Sequence, residues 1–217
     1  IASQVPTVTA VAPIIDDSLV VSYQNITTTS VVRGTTADFT IVRNFAVDKG
    51  QFITDLDLKK DNRIAVLGTD IAKRLFGEEK PLNKQIRIKN TDFTVVGIME
   101  SKGASFGLNN DDMVFIAITT MSKRIIGQKS PYGIQLSYMS VAAKDSDSIE
   151  AAQFQIGNLL RIRHKLVGEN DFIINSQKNA LKTISTITDG LTLLLAAIAG
   201  ISLFVGGIGV MNIMIVS

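Results

Sequence analysis

The apolar positions of this chain fall into two regimes. Up to Asp189 they are interleaved with charged and polar residues, whereas from Gly190 to Ser217 there is no charged side chain. In the first regime, residues 8–12, 19–23, 26–33 and 39–42 are rich in β-branched side chains and predict strands. Gln24-Asn25 predicts a hairpin turn between the second and third of them. Residues 69–76 predict a short helix capped by Thr69 and stopped by Gly77. Residues 85–88 and 93–98 predict a hairpin around the polar loop 89–92. Residues 114–117 form a short apolar strand, and residues 121–126 a brief helix stopped by Gly127.

Further on, Ile134, Leu136, Tyr138 and Ser140 alternate with the residues between them, a strand period. Asp147 and Glu150 have the spacing of a capping box. Ile149, Ala152, Ile156, Leu159 and Leu160 then mark one face of a helix ending near His164. Residues 172–174 predict a closing strand, completing a β-α-β unit over 134–175. Its expected packing partners are the N-terminal strands. The fold class is α+β.

The second regime is a membrane signal. Residues 191–216 run without a charge and exceed the ~20 residues that span a bilayer core. Ser176 can cap a helix upstream, and Leu181, Ile184, Ile187 and Leu191 recur at helical spacing. Gly190 is only a weak break, so the pattern predicts one long helix: a stalk over 177–190 and a transmembrane segment over 191–217. Ala196 and Gly200, and Ser202 and Gly206, are four apart, with Gly207 and Gly209 close by. Gly200, Gly206, Gly207 and Gly209 are therefore the candidate helix-packing residues, since small side chains let backbones approach in lipid. Asn212, a lone strongly polar side chain in the span, should face another helix or the interface.

Composition narrows the function. A net charge of +2 supplies no field for nucleic acid. The absence of cysteine removes disulfides and thiolate metal sites. The chain begins at Ile1, not methionine, and reads as a fragment lacking its other membrane segments.

Candidate chemistry is sparse. No phosphate-binding loop of the G-x-x-x-x-G-K-[ST] type and no G-x-S-x-G elbow occur, so neither a nucleotide site nor a hydrolase centre is expected. His164 is the sole histidine and lies at the basic end of a helix, a dipole-complementing position. Asp55, Asp57 and Asp61 loosely match a calcium loop but lack its glycine and terminal glutamate. The expected catalytic, cofactor and metal sets are thus empty. Met113, Met121 and Met139 suit core packing. Residues 101–112 read as a flexible exposed loop, in which Lys102, Gly103 and Phe106 are the candidate partner contacts.

The segment VGGIGVMNIMIVS at residues 205–217 resembles the second transmembrane helix of the MacB-type ABC transporter permeases. Similar in order are Gly50-Gln51-Phe52, residues 63–68, Leu75-Phe76-Gly77, residues 81–86, residues 93–98, Lys102-Gly103 and residues 160–164. Asn83 stands where that family usually has glycine, and Ala117 where it often has proline. The resemblance implies two subdomains: a Porter-like one over 1–57 and 133–176, and an inserted Sabre-like one over 58–132. It implies a homodimer in the inner membrane, with residues 1–190 periplasmic. It also implies an ATP-hydrolysing domain that binds the ATP, a periplasmic adaptor protein and, through it, an outer-membrane channel. The expected role is non-catalytic: motion driven by ATP passes along the stalk and expels substrate. A lipoprotein-release or cell-wall-regulating permease of the same superfamily, or a membrane-anchored ligand sensor with a closed pocket, are the alternatives.

Overall fold

The computed structural model describes residues 1–105, 108–127 and 133–216. In chain order the elements begin with β1 (Val8–Tyr23), β2 (Ile26–Thr35), α1 (Phe39–Val42), β3 (Val47–Gly50), α2 (Asp55–Lys60) and β4 (Ile64–Leu67). Next come α3 (Thr69–Phe76), β5 (Gln85–Ile88), β6 (Thr91–Met99), β7 (Ala104–Ser105), β8 (Leu108–Asn109) and β9 (Met113–Ala117). The chain closes with α4 (Ile118–Thr120), a π-helix (Met121–Ile126), β10 (Tyr138–Ala143), α5 (Ile149–His164) and α6 (Gln177–Val216). Contacts divide it into two units, Ile1–Ala152 and Gln153–Ser217.

In the first unit the strands form a hydrogen-bonded ring. β1 pairs with β2, β2 runs parallel to β9, β9 antiparallel to β4, and β4 parallel to β6. β5 pairs with β6 and closes the ring on β1 through Val21↔Ile88 and Ser22↔Arg87. β3 and β10 are added outside it, on β6 and on β1. Strand alternation sorts the side chains into two cores. Val114 and Ile116 of β9 join Leu67, Ile86, Ile88, Phe93 and Val95 in one. Met113, Phe115 and Ala117 join Ala12, Ile14, Phe39, Phe45 and Ile53 in the other. β9 is therefore buried at all five positions, which explains its unbroken apolar run.

Several expected elements are present as read. The turn at Gln24-Asn25 connects β1 and β2, with Gln24 at φ +50°. Gly77 and Gly127 end their helices with positive φ. α6 is one unbroken helix of 40 residues through Gly190.

Others differ. β1 is a single strand of 16 residues, not two, because the charge of Asp16 in its middle is matched across the sheet by Arg33. Residues 39–42 form α1, not a strand: Phe39 points into the core, and the turn is closed by the Val42 and Arg43 amides donating to Asp38 O and Phe39 O. The second hairpin turns on two residues, Lys89-Asn90, with Lys89 at φ +54°, so Thr91 and Asp92 belong to β6. Thr69 is the first helical residue of α3, and Gly68 holds the cap position. α5 begins after Ser148, whose N–H donates to Asp145 Oδ1 at 2.7 Å, one residue later than the Asp147–Glu150 spacing would start it. No strand forms over 172–174, which leaves β10 and α5 without a third member of a β-α-β unit.

The partition at 57/58 and 132/133 also does not follow the hydrogen bonding. β1 and β2 share the ring with β4, β5, β6 and β9, across the 57/58 boundary. Parallel pairing of β2 with β9 at five positions needs a long crossover, so distant segments come together in one sheet. β10 does pack on the N-terminal strands, as expected.

The two departures from the resembled family sit in conformations that account for the usual residue. Asn83 adopts φ +64°, which glycine takes freely and asparagine tolerates. Ala117 has φ −60°, the value proline's ring would fix, with ψ 132°.

Candidate functional site

Two regions hold the candidate residues. The first is the loop between β6 and β9. Asp111 is 4% exposed. Its carboxylate accepts from Ser101 Oγ at 2.5 Å, Lys102 N at 2.8 Å and Gly103 N at 3.0 Å. Burial pushes its pKa up, but these bonds, with one from Thr69, outweigh burial and hold it below the ordinary carboxylate value. Asp111 O in turn accepts from Asp70 N at 2.9 Å and Ile71 N at 3.3 Å, satisfying the free amides at the start of α3. Gly68 permits this approach, since a Cβ there would lie 2.3 Å from Asp111 O. The loop expected to be flexible is thus clamped at its base, where the carboxylate replaces absent backbone partners.

Lys102 is exposed, but its ammonium is occupied: it donates to Arg43 O at 3.2 Å and to Asn44 O, and lies 5.2 Å from the centroid of the Phe45 ring. Gly103 has φ +67°, with open space around a notional Cβ. β7 and β8 form a small hairpin beyond it. Phe106 lies outside the described residues. Sequence reasoning missed Asp111 because a lone aspartate in a polar loop carries no pattern.

Two members of the acidic trio serve local structure, and Asp55 lies in the first turn of α2. Thr54 and Asp57 form the capping box of α2. Asp57 also accepts from Asn62 Nδ2 at 2.7 Å. Asp61 pairs with Lys123 at 2.7 Å. In the second unit, His164 Nδ1 lies 2.9 Å from both oxygens of Asp171 and its ring meets Phe172 edge-on at 6.1 Å. That ties the end of α5 to the segment after it.

The second region is α6. Residues Thr183–Ile208 are long and apolar enough to cross a membrane, and none of that stretch is buried within the protein. Leu193, Leu203, Phe204 and Met214 are more than two-thirds exposed. Thr188 and Thr192 donate their hydroxyls to Ile184 O at 3.0 Å and Thr188 O at 2.9 Å, so these polar side chains need no outside partner. Gly200 and Gly207 share one open depression with Leu203, Phe204, Ile208 and Met211. Gly206 and Gly209 lie on a different face, because neighbouring positions are ~100° apart on a helix. A Cβ at Gly200, Gly206 or Gly207 would meet nothing within 4 Å. Gly200 and Gly207 thus share a face that Gly206 does not.

The chain aligns with two groups of curated relatives. It is 38% identical over 92% of its length to the macrolide export ATP-binding/permease protein MacB of Wolinella succinogenes. It is 33% identical over 98% of its length to the pyoverdine export ATP-binding/permease protein PvdT of Pseudomonas aeruginosa. It spans 30% and 31% of those proteins. Among solved structures, it resembles the periplasmic region of MacB from Actinobacillus actinomycetemcomitans, with a TM-score of 0.71 at 21% identity over 84% of this chain and 78% of that one. It also resembles the extracellular domain of the ABC-type transporter YknZ from Gram-positive bacteria, with a TM-score of 0.63 at 19% identity over 75% and 80% of the two chains. Residues 1–159 match the family described as the MacB-like periplasmic core domain, and the chain belongs to that family.

Proposed function

We propose that the chain is the periplasmic domain and membrane-entering helix of an ABC-type export permease, a non-catalytic part that passes ATP-driven motion from the inner membrane to the periplasm. The observation that carries this reading is α6. It joins a polar first portion to an apolar one without a break over 40 residues, roughly 60 Å at helical rise. Such a helix is stiff enough to act as a rod. The relatives named as export ATP-binding/permease proteins align over both the domain and this helix. The working assembly is a homodimer with an ATP-hydrolysing domain, a periplasmic adaptor and an outer-membrane channel, and substrate leaves through that assembly. Nucleotide is bound by the ATPase partner, so this chain alone turns over none.

The test uses the full-length permease with its ATPase. A flexible Gly-Ser insertion between Lys182 and Thr183, just ahead of the membrane-crossing stretch, should abolish export while ATP hydrolysis continues. A helical insertion of two turns serves as the control for assembly. Export that survives the flexible insertion overturns the mechanical role.

A further inference from the structure

β1 changes partners halfway along. Residues Val8 to Ile14 pair with β10, ending at Ile14↔Tyr138. Residues Ile15 to Tyr23 pair with β2, beginning at Ile15↔Gly34. A charge cluster sits at this changeover. Arg33, 3% exposed, donates from Nε and one terminal nitrogen to the two oxygens of Asp16, each at 2.7 Å. The Tyr138 hydroxyl donates to the same carboxylate at 3.3 Å. Asp16 N donates to Ser137 Oγ at 3.1 Å, and Ser137 N to Ile14 O at 2.9 Å. The guanidinium also lies 5.6 Å from the Phe39 ring centroid and 6.0 Å from that of Tyr138. One buried cation thereby links β1, β2, β10 and α1.

The position of this cluster is informative. The β1–β10 ribbon is antiparallel, with Val8 opposite Ala143. The chain therefore enters β1 and leaves β10 at the same end of the ribbon. Beyond β10 lie α5 and α6. The Arg33 cluster is at the other end, where the ribbon meets the ring.

We infer that Arg33, Asp16 and Tyr138 form a rigid joint that couples the β1–β10 ribbon to the ring, so that displacement entering along the chain after β10 moves the whole first unit. A bidentate guanidinium–carboxylate pair suits this role because it fixes orientation as well as distance. The coupling itself stands on the geometry; its use in export rests on the function proposed above.

The test is hydrogen exchange on the full-length permease in nanodiscs, alongside export and ATP hydrolysis. Arg33→Gln and Asp16→Asn should raise exchange of the β10 amides by about 10- to 100-fold, the scale of lost charge-assisted hydrogen bonds, while β4 and β9 stay protected. Tyr138→Phe keeps the packing and should raise it by a few fold. Export should fall in the same order, with hydrolysis retained. Unchanged β10 protection in Asp16→Asn and Tyr138→Phe overturns the joint, whatever the chain transports. Released β10 with export intact overturns its part in the motion. Export that also tolerates the Gly-Ser insertion in α6 would instead overturn the mechanical reading itself. If Arg33→Gln unfolds the ring, the other two variants decide the matter.

Discussion

The ring of the first unit and the α6 helix solve the same problem in opposite ways. In the ring, apolar side chains cover one another: Phe115 is 0% exposed and contacts the rings of Phe39, Phe45 and Phe52 at centroid distances of 5.2, 6.0 and 6.1 Å. In α6, Leu203 is 80% exposed and Phe204 72%, bare over most of their surface. The backbone follows suit. Strand hydrogen bonds come from distant segments, whereas a helix satisfies its own and can stand alone in lipid. One region is held by contacts within the chain and the other by its solvent. Substitutions should therefore act through packing in the first and through insertion or assembly in the second.

The largest effect expected is from Phe115→Ala. It removes the aromatic at the centre of one core and should cost about 3–5 kcal/mol. Urea unfolding followed by circular dichroism measures it, and a loss below about 1 kcal/mol would mean that the second core is not well packed. The counterpart in α6 is Leu203→Arg, which should disfavour membrane insertion by about 3 kcal/mol and leave the urea transition of the first unit unchanged. Alkaline extraction of membranes reads the first effect. A variant that stays fully inserted with a shifted urea transition would reverse the comparison.

How much of this was legible in the sequence depends on the range of the interaction. Local signals held: Gln24-Asn25, Gly77, Gly127 and the charge-free run each specify structure within a few residues. Long-range pairings were hidden. Asp16 falls in the gap between the strands expected over 8–12 and 19–23 until Arg33 is placed opposite it. The ring closure of β5 on β1 joins residues that no periodicity connects. Residues 39–42 have strand propensity, yet the core takes Phe39 from a helical turn, so tertiary packing overrides local preference. On α6, helical spacing sets Gly206 apart from Gly200 and Gly207, and the depression those two share is visible only on the helix itself. Asp111 was invisible, since only its partners distinguish it from a solvated loop residue.

Asp111 supplies a smaller test, of the ring's side of the comparison. Its folded-state pKa is depressed, so the stabilisation is complete above the ordinary value of 3.8 and disappears as pH falls through the folded value. Asp111→Asn should therefore cost about 1–3 kcal/mol at neutral pH, and it should flatten the loss of stability that the native chain shows below about pH 4. Unfolding curves at a series of pH values give both quantities. Identical acid profiles for the two proteins would show that the Asp111 contacts do not hold the loop.

The smallest effects on folding belong to the glycines of α6, and set against Gly68 they sharpen the comparison most. Gly68→Ala places a Cβ 2.3 Å from Asp111 O and should cost about 1–3 kcal/mol, since backbone stands in its way. Gly200→Ala meets nothing within 4 Å and should leave the first unit untouched, with a gain of up to ~1 kcal/mol in helix propensity. Bulk is the sharper probe in α6. Gly206 and Gly207 are adjacent in sequence but ~100° apart around the helix. Gly207 shares the depression with Gly200, Leu203, Phe204, Ile208 and Met211, a shape that can receive side chains from a second helix. Gly207→Leu should fill it and weaken self-association of the full-length permease more than Gly206→Leu does, while urea stability of the first unit stays constant in both. Sedimentation in detergent, with cross-linking in membranes, measures the difference. Equal weakening by the two variants would mean that the helix packs through both faces. A stronger effect at Gly206 would move the contact to the face it shares with Gly209, and no effect at either would leave both faces to lipid.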